Sequence, residues 1–143
     1  LNKFLIPVRP MRFSYFLLQS FLILVLHFYI LNLSGGTGGQ IGMVPFFVIY
    51  GIAMQLLVLL FLYLIIGLLC HYKNKIMWIA AAAIIFELAI ILLTGESSIM
   101  GVFKRGIDRW ESMSFLIPNL IATTITLLIA RAFKKKNGAI LRE

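Results

Sequence analysis

Cysteine and acidic residues are scarce in this sequence of 143 residues, which has a single cysteine, Cys70, and only five Asp and Glu. One cysteine excludes an intramolecular disulfide and a metal site built from several thiolates. We interpret Cys70 as a small apolar side chain near the end of a membrane helix. Reversible acylation at the membrane border is the alternative.

Sequence motifs of enzymes and nucleotide-binding proteins are also missing. The chain has no HExxH, no pair of histidines at helical spacing and no serine in a nucleophile elbow. The glycine-rich turn over 34–42 does not match a phosphate-binding loop, because Met43 and Val44 follow Gly42 where a lysine and a hydroxyl residue are needed. We therefore expect a protein that is not an enzyme and that has no cofactor and no metal site.

Long apolar runs dominate what is present. Hydrophobic residues make up 62% of the chain, charged residues 13%, and the mean hydropathy is +1.02. Four runs can each cross a hydrocarbon layer of about 30 Å as a helix. They cover about 13–33, 44–70, 76–94 and 113–133. The sequence predicts an all-α polytopic membrane protein, with four transmembrane helices in an antiparallel bundle and residues 1–143 as a single domain.

The excess of basic residues predicts the orientation of these helices. The formal net charge is +8, but the charges lie between the apolar runs and at the chain ends, so we expect no nucleic-acid partner. With both termini in the cytoplasm, ten of the thirteen Lys and Arg lie on the inner side, as basic cytoplasmic loops require. We therefore expect an integral protein of a bacterial inner membrane with cytoplasmic N- and C-termini.

A basic border follows the fourth apolar run. It consists of three consecutive lysines, Lys134, Lys135 and Lys136. Such a border attracts anionic lipid headgroups on the cytoplasmic side at about 1 kcal/mol per residue, and it also suits an acidic protein partner. Orientation by basic residues alone is the simpler explanation.

The segment between the third and fourth runs is amphipathic. Its apolar residues recur at helical spacing and its charged residues take the opposite side; the apolar positions are Ile99, Phe103, Ile107 and Trp110. This pattern predicts a short helix over about 97–111 that lies on the outer membrane surface, with Trp110 at headgroup level. The helix is either a lid or docking element, or only a connector.

Glu87 is an acid inside the third apolar run. At helical rise it lies about 16 Å from the start of the run, close to the bilayer centre, where desolvation favours a neutral carboxyl group. The same estimate puts three other polar residues within a turn of this depth, so we predict an intramembrane polar cluster of Glu87, His27, Gln55 and Asn119. It is either a proton-coupled or solute-conducting site, or a set of hydrogen bonds that holds helices together.

Small residues recur every four positions along the fourth run. These residues form a small-residue seam, which comprises Ser114, Pro118, Ala122, Thr126 and Ala130. Such a seam lets another helix approach closely, either from the same chain or from a second copy. We expect a homo-oligomer.

Three functions fit these observations. We expect a non-enzymatic integral membrane subunit, oligomeric, that anchors or senses within a larger membrane assembly. The alternative is a small proton-coupled transporter or pore that uses Glu87 as its intramembrane carboxylate. In size and topology only, the chain also resembles the compact four-helix membrane components of bacterial anti-phage defence systems, which implies a third option.

Overall fold

The computed structural model of the chain describes residues 13–33, 42–69 and 75–140, and their regular structure is entirely helical. Four helices are long and one is a single turn: α1 (Ser14–Leu33), α2 (Val44–Leu69), α3 (Lys75–Thr94), α4 (Ser98–Gly101) and α5 (Ile107–Ile140). The predicted all-α fold class is confirmed.

The long helices are apolar enough to cross a membrane. The segments with this property are Ser14–Leu33, Val44–Ile65, Lys75–Thr94 and Asp108–Phe133. Large apolar side chains cover their outer surfaces; Leu57 is 66% exposed, Phe61 63% and Leu92 75%. An apolar surface that extends over four whole helices is unfavourable in water but is compatible with lipid tails. The chain is an integral membrane protein.

α1 and α3 are the central helices, since each contacts the three other long helices. Two clusters of buried apolar side chains fill the interfaces. One contains Ile23, Val44, Val48, Phe86, Ile90, Phe115 and Ala122, and the other contains Phe16, Leu59, Ile79, Ala82 and Ala130. Gly51 of α2 faces α3 so closely that a Cβ there would lie 3.0 Å from Ile90 Cδ1, which is why this position suits glycine.

The predicted amphipathic helix over 97–111 is not one element. Helix α4 ends at Gly101, and the residues from Ile107 onward belong to α5, which continues into the fourth span. Two glycines explain the break. Gly106 has a φ of 79°, a left-handed backbone conformation that interrupts the helix and that most other residues avoid. Gly101 packs against Ser112, whose Oγ would lie 1.8 Å from an added Cβ. The prediction of a single helix is therefore wrong, and the fourth helix begins earlier than predicted.

Candidate functional site

Two neighbouring helices hold α3 through side-chain amides that reach its backbone. Gln55 of α2 donates from Nε2 to the carbonyl of Ala82 at 2.9 Å. Asn119 of α5 donates from Nδ2 to the carbonyl of Ala83 at 3.1 Å. The two amides thus bind adjacent carbonyls of α3 from different helices.

Gln19 of α1 adds a third amide to this arrangement. Its Nε2 donates to Thr123 Oγ1 of α5 at 2.8 Å and lies 3.5 Å from the carbonyl of Ile79 on α3. The side chain is completely buried. The predicted polar cluster did not include Gln19, although this residue lies on the same helical face as Ile23 and His27, four and eight residues further on. That spacing was the available signal.

The amide oxygens of these three side chains remain unpaired. Gln19 Oε1, Gln55 Oε1 and Asn119 Oδ1 are buried and accept no hydrogen bond within the described part of the chain. Turning the amides of Gln55 and Asn119 around does not help, because each amide oxygen would then face a backbone carbonyl, and both groups only accept. The spans therefore hold three acceptors that water or a cation can use.

His27 compensates for the proline inside α5. Pro118 has no N–H, so the carbonyl of Ser114, four residues earlier, lacks its helical donor. His27 Nδ1 lies 2.9 Å from that carbonyl oxygen and must carry the hydrogen, since the carbonyl only accepts. The imidazole also stacks on Phe115, with ring centroids 5.9 Å apart and an interplanar angle of 2°. His27 thus links α1 to the bend-prone part of α5.

Glu87 binds the start of α4. Its Oε1 accepts hydrogen bonds from Ser97 Oγ at 3.1 Å and from the backbone N–H of Ser98 at 2.8 Å. The connection after α3 therefore turns back toward the span and meets the carboxyl group. Oε2 is buried without a hydrogen-bond partner among the described residues.

The four residues of the predicted intramembrane polar cluster are thus spread along the bundle. Gln55 and Asn119 meet on neighbouring carbonyls of α3, whereas His27 binds α5 and Glu87 binds the connection after α3. No hydrogen bond joins any two of the four where the structure describes them. Each instead satisfies a backbone group or a hydroxyl of another element.

The small-residue seam is buried inside a single copy of the chain. Ser114, Ala122 and Thr126 have no exposed surface, and Ala130 is 3% exposed. Helix α5 packs on both α1 and α3. The seam therefore already has partner helices, and it leaves no face for a second copy.

A cavity of about 360 Å³ opens where α3 and α5 are joined. We call it the junction cavity; its lining comprises Met43, Phe47, Thr94, Glu96, Ser98, Lys104, Asp108, Glu111, Ser112 and Phe115. Three of the five acidic residues of the chain are in this lining. This cavity could not be predicted from the sequence, because it depends on how α4 folds onto α5.

One charge pair lies at the edge of the junction cavity. Lys104 Nζ donates to a carboxylate oxygen of Glu96, and both side chains are largely exposed. The hydrogen bond to Glu96 raises the pKa of Lys104 above its usual range. No such ion pair involves Asp108 or Glu111 in the described ranges. Their carboxylates give the cavity a net negative character.

The remaining predicted sites fall outside what the structure describes. Lys134, Lys135 and Lys136 belong to α5, but their side chains are beyond the described part, and Cys70 is too. The basic border and the interpretation of Cys70 stay predictions.

No protein-family model, curated protein or solved structure matches this chain. The contacts of its own residues are therefore what indicates its function.

Proposed function

We propose that the chain is a non-enzymatic integral membrane subunit that anchors or senses within a larger membrane assembly. Its four spans form an antiparallel bundle in a bacterial inner membrane, with both termini in the cytoplasm. The observation that carries this proposal is the use of the polar side chains in the spans. Gln55, Asn119 and His27 each bond to the backbone of a neighbouring helix, so they act as interhelical contacts.

The surroundings of Glu87 support the same function. An acid that carries protons across a membrane needs access to water on both sides in turn, whereas Glu87 is engaged by Ser97 and Ser98 of the following connection. This contact ties α3 to α4, which is a structural task.

The two apolar clusters also support an antiparallel order, because residues from the start of one span pack with residues from the end of the next.

The expected homo-oligomer uses a surface other than the small-residue seam, since that seam is covered by helices of the same chain. Helix α2 offers the broadest alternative. Leu57, Phe61 and Leu64 are each more than half exposed on its outer side. We propose that copies of the chain or a membrane partner contact this side of α2.

The decisive experiment is the mass and composition of the complex, purified through a tag in mild detergent with native lipids retained. The proposal predicts co-purification of another subunit in fixed ratio. A matched variant, Leu57→Ala with Phe61→Ala, should reduce that ratio without changing the helical content by circular dichroism. A monomer or pure homo-oligomer that carries no partner contradicts the subunit function.

A second candidate, a small proton-coupled transporter or pore, is favoured by the unpaired acceptors in the spans. Gln19 Oε1, Gln55 Oε1, Asn119 Oδ1 and Glu87 Oε2 are all buried without partners among the described residues. Buried acceptors of this kind are normally satisfied by ordered water, and a line of water conducts protons. Proton flux into vesicles that contain the chain tests this candidate. Flux that Glu87→Gln abolishes supports transport, and absence of flux in the wild type rejects it.

A further inference from the structure

We propose that the junction cavity binds a small organic ammonium compound, with its charged nitrogen at Asp108 and Glu111 and its apolar part against Phe47 and Phe115. None of the residues named here takes part in the hydrogen bonds between the spans that involve Gln19, Gln55, Asn119 and His27. The site is independent of the proposed subunit function, because binding is measured on the purified chain whether or not a partner co-purifies.

The charges of the cavity select a cation. Its lining has three carboxylates and one amine, and Lys104 is engaged with Glu96. Asp108 and Glu111 therefore remain as two acids without an ion-pair partner among the described residues, in a chain whose net charge is +8. An acidic site attracts positively charged ligands, which the basic remainder of the protein repels.

Helix α5 arranges polar and apolar groups in the order that an amine needs. Asp108, Glu111, Ser112 and Phe115 follow at steps of three, one and three residues, and all four line the cavity. These positions share one side of a helix. The carboxylates thus lie toward the start of α5 and the Phe115 ring one turn further in, and Phe47 of α2 lines the same cavity. A compound with an ammonium group at one end and an apolar body at the other matches this gradient.

Ser98 provides a second, independent indication of a ligand. This residue lines the cavity, is only 2% exposed, and its Oγ has no hydrogen-bond partner within the described chain. Buried hydroxyl groups in folded proteins are normally paired. The Ser98 hydroxyl oxygen can accept a hydrogen bond from an ammonium N–H.

The dimensions and spacing favour an organic cation over a metal ion. Among the described residues, no three acidic, histidine or cysteine side chains are close enough together to hold one metal ion. The volume of about 360 Å³ falls within the usual range of small-molecule pockets, about 300–1,000 Å³. The two aromatic rings in the lining make favourable contacts with the apolar part of an organic cation, but not with a hydrated metal ion.

Isothermal titration calorimetry of the purified full chain in detergent tests the site, with phenethylamine as the probe and phenethyl alcohol as its neutral counterpart. We expect one amine per chain to bind and the alcohol not to bind measurably. Asp108→Asn and Glu111→Gln should each weaken amine binding about three- to tenfold, as expected for loss of one partly desolvated charge contact. The matched control is Arg109→Gln, a charge change between the two acids at a position outside the lining, which should leave the affinity within about twofold.

Several results overturn the proposal. Equal binding of amine and alcohol shows an apolar pocket without charge selection. Amine affinity that is unchanged in both acid variants places the binding elsewhere on the chain. Stoichiometric binding of Mg²⁺ in the absence of any amine binding assigns the acids to a metal. If a variant loses its helical circular dichroism signal, the comparison of amine with alcohol on the wild type decides alone.

Discussion

The interior of the spans and the junction cavity contain different kinds of polar side chain. In the spans, neutral amides of Gln19, Gln55 and Asn119 bind helix backbones, and their donors rather than charges make the contacts. At the junction cavity, carboxylates and a lysine line an open volume. The difference follows from desolvation, because a neutral amide is far cheaper to bury in hydrocarbon than an ion, whereas an ion at the end of the bundle keeps access to water.

Glu87 lies where these two regions meet. Its side chain extends from α3, but its hydrogen-bond partners, Ser97 and Ser98, belong to the connection that forms the cavity. The boundary between the regions is therefore a single carboxyl group that accepts hydrogen bonds from the residues of the cavity side. Substitutions on either side of this boundary test the difference between the two regions.

The largest effect is expected from filling the contact between α4 and α5. Gly101→Val places a branched side chain where Ser112 Oγ and Cβ would lie 1.8 and 2.7 Å from the new Cβ. We expect a loss of about 3 kcal/mol in the free energy of unfolding, at the upper end for overpacking. Unfolding in mixed detergent and SDS micelles measures it. Gly42→Val is the control, since an added Cβ there meets nothing within 4 Å; equal losses in both variants contradict the prediction.

The next effect concerns the link between α1 and α5. His27→Leu leaves the carbonyl of Ser114 buried without a donor, which costs about 1–3 kcal/mol. Pro118→Ala restores a backbone N–H to that carbonyl, so His27→Leu should cost at least about 1 kcal/mol less in the Pro118→Ala background. A double-mutant cycle by the same unfolding assay gives this coupling. Additive effects of the two substitutions show that Pro118 and His27 do not share the carbonyl.

The third effect concerns the hydrogen bonds that Glu87 accepts from the connection after α3. Glu87→Leu removes the acceptor of two hydrogen bonds and should cost about 1–2 kcal/mol in unfolding free energy. Glu87→Gln keeps an acceptor oxygen for Ser97 and Ser98, so it should lose less than half of that amount. If both variants are equally unstable, the negative charge rather than the hydrogen-bond geometry holds the connection.

A smaller loss is expected within the spans. Gln55→Leu removes a donor to the carbonyl of Ala82, but that carbonyl keeps its helical partner, so the cost should be about 0.6 kcal/mol, the average for such contacts in membranes. Asn119→Leu, which removes the matching contact to Ala83, should behave alike. A loss above about 2 kcal/mol in either variant indicates that the unpaired amide oxygens also have partners, such as bound water.

The smallest effect is that of the exposed pair at the cavity edge. Because Glu96 raises the pKa of Lys104, the pair stabilises the fold while the lysine is protonated, and this contribution disappears as pH rises through the raised pKa. Lys104→Gln should therefore leave the Tm at pH 7 nearly unchanged, since exposed pairs contribute little. Thermal melts from pH 7 to the alkaline range, wild type against variant, measure this; a large difference at pH 7 contradicts it.

The span positions could be predicted from the sequence because length and hydropathy alone determine them. Residues 14–33 and 75–94 form helices within one residue of the predicted runs. The side of α5 that packs was also visible, since Ser114, Ala122 and Thr126 recur at helical spacing and are fully buried.

The partners of the polar residues could not be predicted in the same way. The contact of Glu87 with Ser98 depends on a connection that turns back toward its own helix, and no local pattern encodes that return. Likewise, Gly101 and Gly106 weaken an apparent amphipathic helix, but only the packing on Ser112 decides where it breaks. Hydrophobic periodicity reports which side of a helix is buried, not which backbone group a polar side chain reaches.

The backbone targets on α3 have a consequence for sequence divergence. Carbonyl oxygens are the same for every residue type, so the amides of Gln55 and Asn119 recognise the path of α3 rather than the identities of Ala82 and Ala83. Those two positions can therefore exchange among small residues during evolution without loss of the contacts. The constraint passes instead to the donor helices, where each amide has few substitutes, so among distant relatives positions 82 and 83 should vary more than Gln55 and Asn119.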